Sequence, residues 1–201
     1  MSLTKLVDVR LGNVRHSLQT GDRFVRAAMS SEVGAKLKTS TASLLMIQGI
    51  AINPESELRI NRTQVVGIDR SFWNLSDIKM SAISNDEAII SANISQKLNV
   101  KVGDEFLLRV EKASVIPLNA PFSQDVDPSV AIRLKVKAIA DDKSMSRFSL
   151  KSNQAAPYNI FVSREMLASK LDLAGKTNVI LINEVNESVL NTAFHESFSL
   201  D

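Results

Sequence analysis

Two histidines, an Asp-Val-Asp pair and a glycine-aspartate joint are the places where this chain could hold chemistry. His16 and His195 are the only histidines. A nucleophilic site would set one of them beside a carboxylate, Asp22 or Asp69, and a serine. Neither a G-x-S-x-G elbow nor an H-E-x-x-H pair accompanies them. His16 falls on the apolar side of a strand candidate, where a hydrogen-bonded core or rim histidine is the bland reading. His195, near the end of a terminal helix, can interact with the helix dipole. Two isolated histidines without a cysteine do not make a zinc set. Asp125 and Asp127 stand in a proline-rich stretch, but a calcium site needs about six oxygens, and the glycine and closing glutamate of an EF-hand are missing. Gly103-Asp104, in NVKVGDEF, belongs to no phosphate loop: there is no G-x-x-x-x-G-K and no G-x-G-x-x-G. There the glycine relieves positive φ and the aspartate bonds nearby amides, which makes a helix-to-strand joint. Trp73, Phe122, Phe148 and Tyr158 lie in or beside loops. Either they close the edges of the core, or they offer an apolar contact surface. On the second reading Phe122, Phe148 and Tyr158 are the partner-binding residues. No catalytic, metal or cofactor-binding residue is expected, and the chain is not read as an enzyme.

The totals narrow the class. The chain has 201 residues, 24 basic and 22 acidic, and net charge +2. At this length folding buries roughly 70% of the extended surface, so no staple is needed. Aromatics make up 5% and no run of five like charges occurs, which disfavours nucleic-acid binding. The lack of cysteine removes disulfides and thiolate chemistry. No apolar run approaches the ~18 residues of a membrane span. Met1-Ser2-Leu3 has no signal-peptide core behind it and reads as a leader, so the chain is expected to be an excised soluble piece of something larger.

Periodicity predicts the elements that must position these residues. Thr4–Leu11 reads as a short helix ending at Gly12. Asn13–Gln19 alternates as a strand with Val14, His16 and Leu18 on one side, with a continuous helix through Gly12 as the competing reading. Asp22–Lys38 reads as a helix, weakened near its end by Gly34. Ser43–Asn53 and Glu57–Asp69 form a hairpin across Pro54–Glu57, the second strand opening with Leu58, Ile60 and Arg62 on one face. Glu87–Ser91 is a strand, Ala92–Val100 a two-turn helix and Glu105–Ala113 a strand. Ser114–Pro128 is a loop. Ala131–Asp141 alternates, with Ile132, Leu134, Val136, Ala138 and Ala140 expected on one face. Ser144–Pro157 is irregular. Tyr158–Ser163, helix Arg164–Leu173 and strand Asn178–Asn183 make a split or parallel crossover. Glu184–Phe198 closes as a helix. The class is α+β: a porter-like α/β subdomain over 4–84 and 144–201, a small β-rich inserted subdomain over 85–143, and flanking N- and C-terminal helices.

The ordered segments LGNVRHSLQTGDRFVRAA (Leu11–Ala28), VVGIDRSFWNL (Val65–Leu75), NDEAIISANISQKLNVKVGDEFLLRVEKAS (Asn85–Ser114), IRLKVKAIAD (Ile132–Asp141), RFSLKSNQAAPYNIFV (Arg147–Val162) and NVILIN (Asn178–Asn183) together resemble a known family. It is the MacB-like periplasmic core domain of FtsX-like ABC transporter permeases. The resemblance spans nearly the whole chain. It implies a domain between the first and second transmembrane helices of a permease, periplasmic or otherwise extracytoplasmic, with terminal helices as stalks into the inner membrane. It further implies a cytoplasmic ATPase subunit as partner of the parent permease, and an envelope protein, a lipoprotein or an amphiphile as what the domain binds. The family's mechanism is transmission of ATP-driven motion, with no catalysis and no cofactor here. The alternative is a stand-alone periplasmic binding protein with a cleft between two subdomains. A hydrolase using His16 or His195 ranks third.

Overall fold

A computed structural model describes residues 11–75, 81–112, 129–141, 146–150, 155–183, 185 and 190. Its strands are β1 (His16–Gln19), β2 (Val25–Arg26), β3 (Thr41–Ile52), β4 (Arg59–Ile68), β5 (Glu87–Ser91), β6 (Glu105–Glu111), β7 (Ser129–Ala140), β8 (Asn159–Ser163), β9 (Lys176–Thr177) and β10 (Val179–Ile182). Its helices are α1 (Ala28–Leu37), α2 (Arg70–Asn74), α3 (Ala92–Leu98) and α4 (Arg164–Lys170). The expected helices over Thr4–Leu11 and Glu184–Phe198 lie outside the described residues except at Leu11, Val185 and Leu190, the loop Ser114–Pro128 lies wholly outside them, and Ser144–Pro157 is described at 146–150 and 155–157.

Eight strands form one mixed sheet in the order β1-β10-β3-β4-β8-β5-β7-β6, and β6 returns to pair with β3. Six strands therefore close into a ring, with β10 and β1 as a wing beside it. β3 makes this possible by its length. One of its edges pairs with β10 through Thr41 to Leu44, then with β6 through Gly49 to Ile52. Between the two partners, Asn178 covers the gap. Its side-chain Nδ2 donates to the Met46 carbonyl at 2.7 Å and its Oδ1 accepts the Met46 N–H at 2.8 Å. An amide side chain thus satisfies both backbone groups of a strand residue that would otherwise be orphaned.

The expected β3/β4 hairpin is present, and β4 pairs with β8 in parallel. β10 is antiparallel to β3, so β8 and β10 run parallel with β3 and β4 between them, a split crossover through α4. The ring interior is filled by Leu45, Val65, Ile90, Phe106, Leu108, Leu134 and Ile160, with Leu98 of α3 and Leu167 of α4 closing over them. On the other face of the sheet, Leu44, Val66, Phe72, Trp73, Phe148, Phe161 and Leu181 form a second core. A third, smaller core sets Met29 and Val33 of α1 against Ile180 and Ile182. β10 is buried on both faces, which explains why VILI reads as a continuous apolar run.

Several expectations are corrected by tertiary pairing. The helix predicted over Asp22–Lys38 begins only at Ala28, because Val25 and Arg26 are taken as a strand by Thr177 and Lys176. Val14 leaves the face of Leu18: it is buried in the second core, while Leu18 packs on the third. In β4, a bulge sets Asn61 and Arg62 together against Ile50, since Thr63 pairs with Gly49 and Ile60 with Ala51. Ile60 and Thr63 are buried while Asn61 and Arg62 are exposed, so Arg62 does not share a face with Ile60. In β7, Lys137 is an extra residue between the partners of Ala88 and Ile89. The bulge exchanges faces: Ile132, Leu134 and Val136 point into the ring, but Ala138 and Ala140 join the second core.

Candidate functional site

The sequence stretch Val-Gly-Ile-Asp ends β4, and Ser163 ends β8. These strands are parallel neighbours, so both chains turn into helices at the same end of the sheet. Gly67 allows α4 to lie directly on β4. A Cβ there would meet Arg164 Cα and Leu167 Cδ2, both at 3.1 Å. Asp69 caps α2 by accepting the Ser71 N–H at 2.9 Å through Oδ1. Its Oδ2 accepts from Arg164 Nε at 3.3 Å and Nη2 at 3.2 Å, which ties α2 to α4. Ser163 caps α4 by accepting the Met166 N–H at 3.3 Å.

Between these ends lies a crevice of about 210 Å3, with Trp73 and Ile83 as its apolar wall and Asp69, Arg70, Arg164 and Glu165 around its polar side. The volume falls below the roughly 300 Å3 at which pockets bury a drug-sized ligand. Its charges are mixed, two basic and two acidic, and Asp69 is already committed to Ser71 and Arg164. The Ser163 hydroxyl serves as a cap. The crevice can seat a small polar group or one side chain. Beside it, an open depression of about 510 Å3 is bordered by Asn85, Asp86, Glu165, Met166, Ser169 and Lys170.

The loop over this region is clipped by Lys137, the bulged residue of β7. Its Nζ donates to Glu87 Oε2 at 2.6 Å and to the Ala82 carbonyl at 2.7 Å. Glu87 Oε2 also accepts the Ser84 N–H at 3.0 Å. The Lys137 hydrogen bond first, then the Ser84 amide, hold the Glu87 carboxyl below the ordinary carboxylate pKa.

A buried polar network fixes the stretch around Phe148 and Tyr158. Asn159 is fully buried, and its Nδ2 donates to the Ser146 and Phe148 carbonyls, each at 2.9 Å. Gln64 Nε2 donates to Asn159 Oδ1 at 2.8 Å and to the Phe148 carbonyl at 3.1 Å. The Phe148 ring is 0% exposed and stands edge-on to Phe72, 5.3 Å between centroids. Tyr158 is half-buried against the ring interior. The two aromatic side chains therefore lie on opposite faces of the sheet. Phe122, His195, Asp125 and Asp127 lie outside the described residues. His16 is half-buried in β1 opposite Ile182. Gly103 has φ +96°, and Asp104 Oδ2 accepts the Lys101 N–H at 2.8 Å, so NVKVGDEF is the structural joint its residues suggest. Among the described residues no three His, Asp or Glu side chains gather as a metal site.

The sequence did not point to Arg164 as the partner of Asp69, to the Gln64–Asn159 pair, or to Asn178. Each joins residues about 95 or more positions apart, with the Asn178–Met46 link spanning 132.

No family model and no curated protein matches this sequence. Solved structures do. The extracellular domain of the ABC-type transporter YknZ from Gram-positive bacteria is similar over 89% of this chain and 88% of its own, with TM-score 0.54 and 8% identity. The periplasmic region of MacB from Actinobacillus actinomycetemcomitans is similar over 96% of this chain and 86% of its own, with TM-score 0.53 and 11% identity. At these identities the likeness is one of fold, and in fold this chain is similar to the extracellular and periplasmic domains of ABC-type transporters.

Proposed function

We propose that this chain is the extracytoplasmic domain of an FtsX/MacB-like ABC transporter permease, which binds a partner protein or an amphiphilic substrate and transmits ATP-driven motion. The observation that carries the reading is the likeness of fold over 89% and 96% of the chain to two transporter domains. The topology agrees with it. The described chain comes in on β1 and leaves on β10, which are antiparallel neighbours with His16 opposite Ile182. Two stalks joined there would be side by side. Displacement at that wing reaches the ring through β3, whose 12 residues span about 40 Å at ~3.3 Å each. On this reading Phe122 and Tyr158 are contact residues, whereas Phe148, expected from the sequence as a third, has its ring fully buried against Phe72 and supports the neighbouring stretch instead of touching a partner. Among the described residues no helix is long and apolar enough to cross a membrane.

The test uses the native full-length gene product, tagged and expressed in its parent cell. It is expected in the membrane fraction of the envelope and to co-purify an ATP-hydrolysing subunit. A product found free of membrane, with no ATPase activity attached, would overturn the reading.

A further inference from the structure

The outward face of β3, β4, β6 and β7 carries an apolar centre between arginines. In one row across the strands, Arg59 of β4 stands opposite Ile52 of β3, Ile52 opposite Leu107 of β6, and Leu107 opposite Arg133 of β7. In the next row the β4 bulge places Asn61 and Arg62 opposite Ile50, and Ile50 stands opposite Arg109. Ile50, Ile52 and Leu107 are half-buried; Arg59, Arg62, Arg109 and Arg133 are exposed. Arg133 meets Glu105 at 3.3 Å. Arg59, Arg62 and Arg109 make no ion pair or side-chain hydrogen bond with another described residue. The bulge matters here: an unbulged strand would send Arg62 inward, so one extra residue adds a fourth guanidinium to this face.

We propose that this face docks an acidic amphipathic helix of a partner protein, with an aliphatic stripe bordered on both sides by carboxylates. Charge complementarity selects the sign. Three guanidinium groups uncommitted among the described residues present fork geometry suited to carboxylates. Dimensions select the shape. Arg62 and Arg109 flank Ile50 across two strand spacings, roughly 10 Å, which is about the width of a helix with its side chains. The aliphatic residues between them match the stripe of such a helix. A membrane surface fits less well, because no aromatic and no fully exposed aliphatic side chain projects from these rows to enter a bilayer. The inference stands apart from the transporter reading, and either can fail without the other.

The probe is a fluorescein-labelled 18-residue peptide with leucines along one helical face, glutamates bordering them and alanine elsewhere. Its anisotropy on titration with the whole chain is expected to report saturable binding that weakens with added salt. Arg59→Glu with Arg109→Glu should lower the affinity about tenfold or more, and a peptide with lysine for glutamate should prefer that double variant. Arg59→Gln with Arg109→Gln serves as the milder pair, with circular dichroism and urea midpoints confirming that each variant folds. Vesicles of phosphatidylglycerol and phosphatidylcholine are tested by flotation in parallel. The proposal is overturned by absence of peptide binding, by equal binding of a scrambled peptide, by binding indifferent to the arginine changes, or by arginine-dependent flotation with vesicles in place of peptide binding.

Discussion

Thr63 is fully buried, and its hydroxyl has no hydrogen-bond partner among the described residues. It lies beside Gly49 on the ring side of β4, where a Cβ on Gly49 would come within 2.9 Å of Val65 Cγ2 and 3.1 Å of Leu108 Cδ1. A buried hydroxyl without a partner costs roughly 1–3 kcal/mol. Thr63→Val keeps the shape and removes the hydroxyl, so the variant should gain about 1 kcal/mol in urea unfolding. A loss of stability would mean that the hydroxyl is satisfied, by water or by a neighbour. Legibility at this scale was uneven. Gly103-Asp104 declared a turn because its chemistry is local. Asp69 did not declare its bond to Arg164, because that contact exists only once β4 and β8 lie side by side.

At the scale of elements, the two aromatic side chains of the 146–158 region should behave differently. Phe148→Ala opens a cavity against Phe72 in the second core and is expected to cost about 3–5 kcal/mol. Tyr158→Ala, at a half-buried position, should cost clearly less and act instead on partner binding, read by urea midpoints and a binding titration side by side. The clip between β5 and β7 makes a pH prediction. The folded state holds Glu87 below its ordinary pKa, so its contribution is present above the ordinary carboxylate range and is lost as pH falls through the depressed value. Lys137→Met removes the main cause. Between pH 6 and pH 3, wild type should therefore lose more stability than the variant, while the other carboxylates cancel in the difference. Equal losses would show that the clip does not couple to folding. The strands themselves were legible where one face is wet, as in Ile132, Leu134 and Val136 alternating with Arg133 and Lys135. They ceased to be legible at Lys137, where a bulge reverses the faces.

For the molecule as a whole, the junction between ring and wing is the critical place. Asn178 holds Met46 by both backbone groups and also donates to the Gly21 carbonyl at 3.1 Å. Asn178→Leu would leave two part-buried backbone groups of Met46 without these partners, at about 1–3 kcal/mol in all. Amide exchange should rise first at Met46, with the ring core still protected. If protection fell evenly over the whole sheet, the wing and ring would be one cooperative unit with no weak seam.

Elements whose residues speak to their immediate neighbours were determined by the chain alone: the β3/β4 hairpin, the α3 joint into β6, the alternating half of β7 and the apolar run of β10. Their signals are periodicity, turn chemistry and caps, all of which act over a few residues. The closing of six strands into a ring, the shortening of α1 by β2, the bulges at Arg62 and Lys137, and the placing of Phe148 and Tyr158 on opposite faces were decided only by tertiary structure. Each depends on which distant strand takes up a free backbone edge, and a row of N–H and C=O groups carries no address in its own sequence.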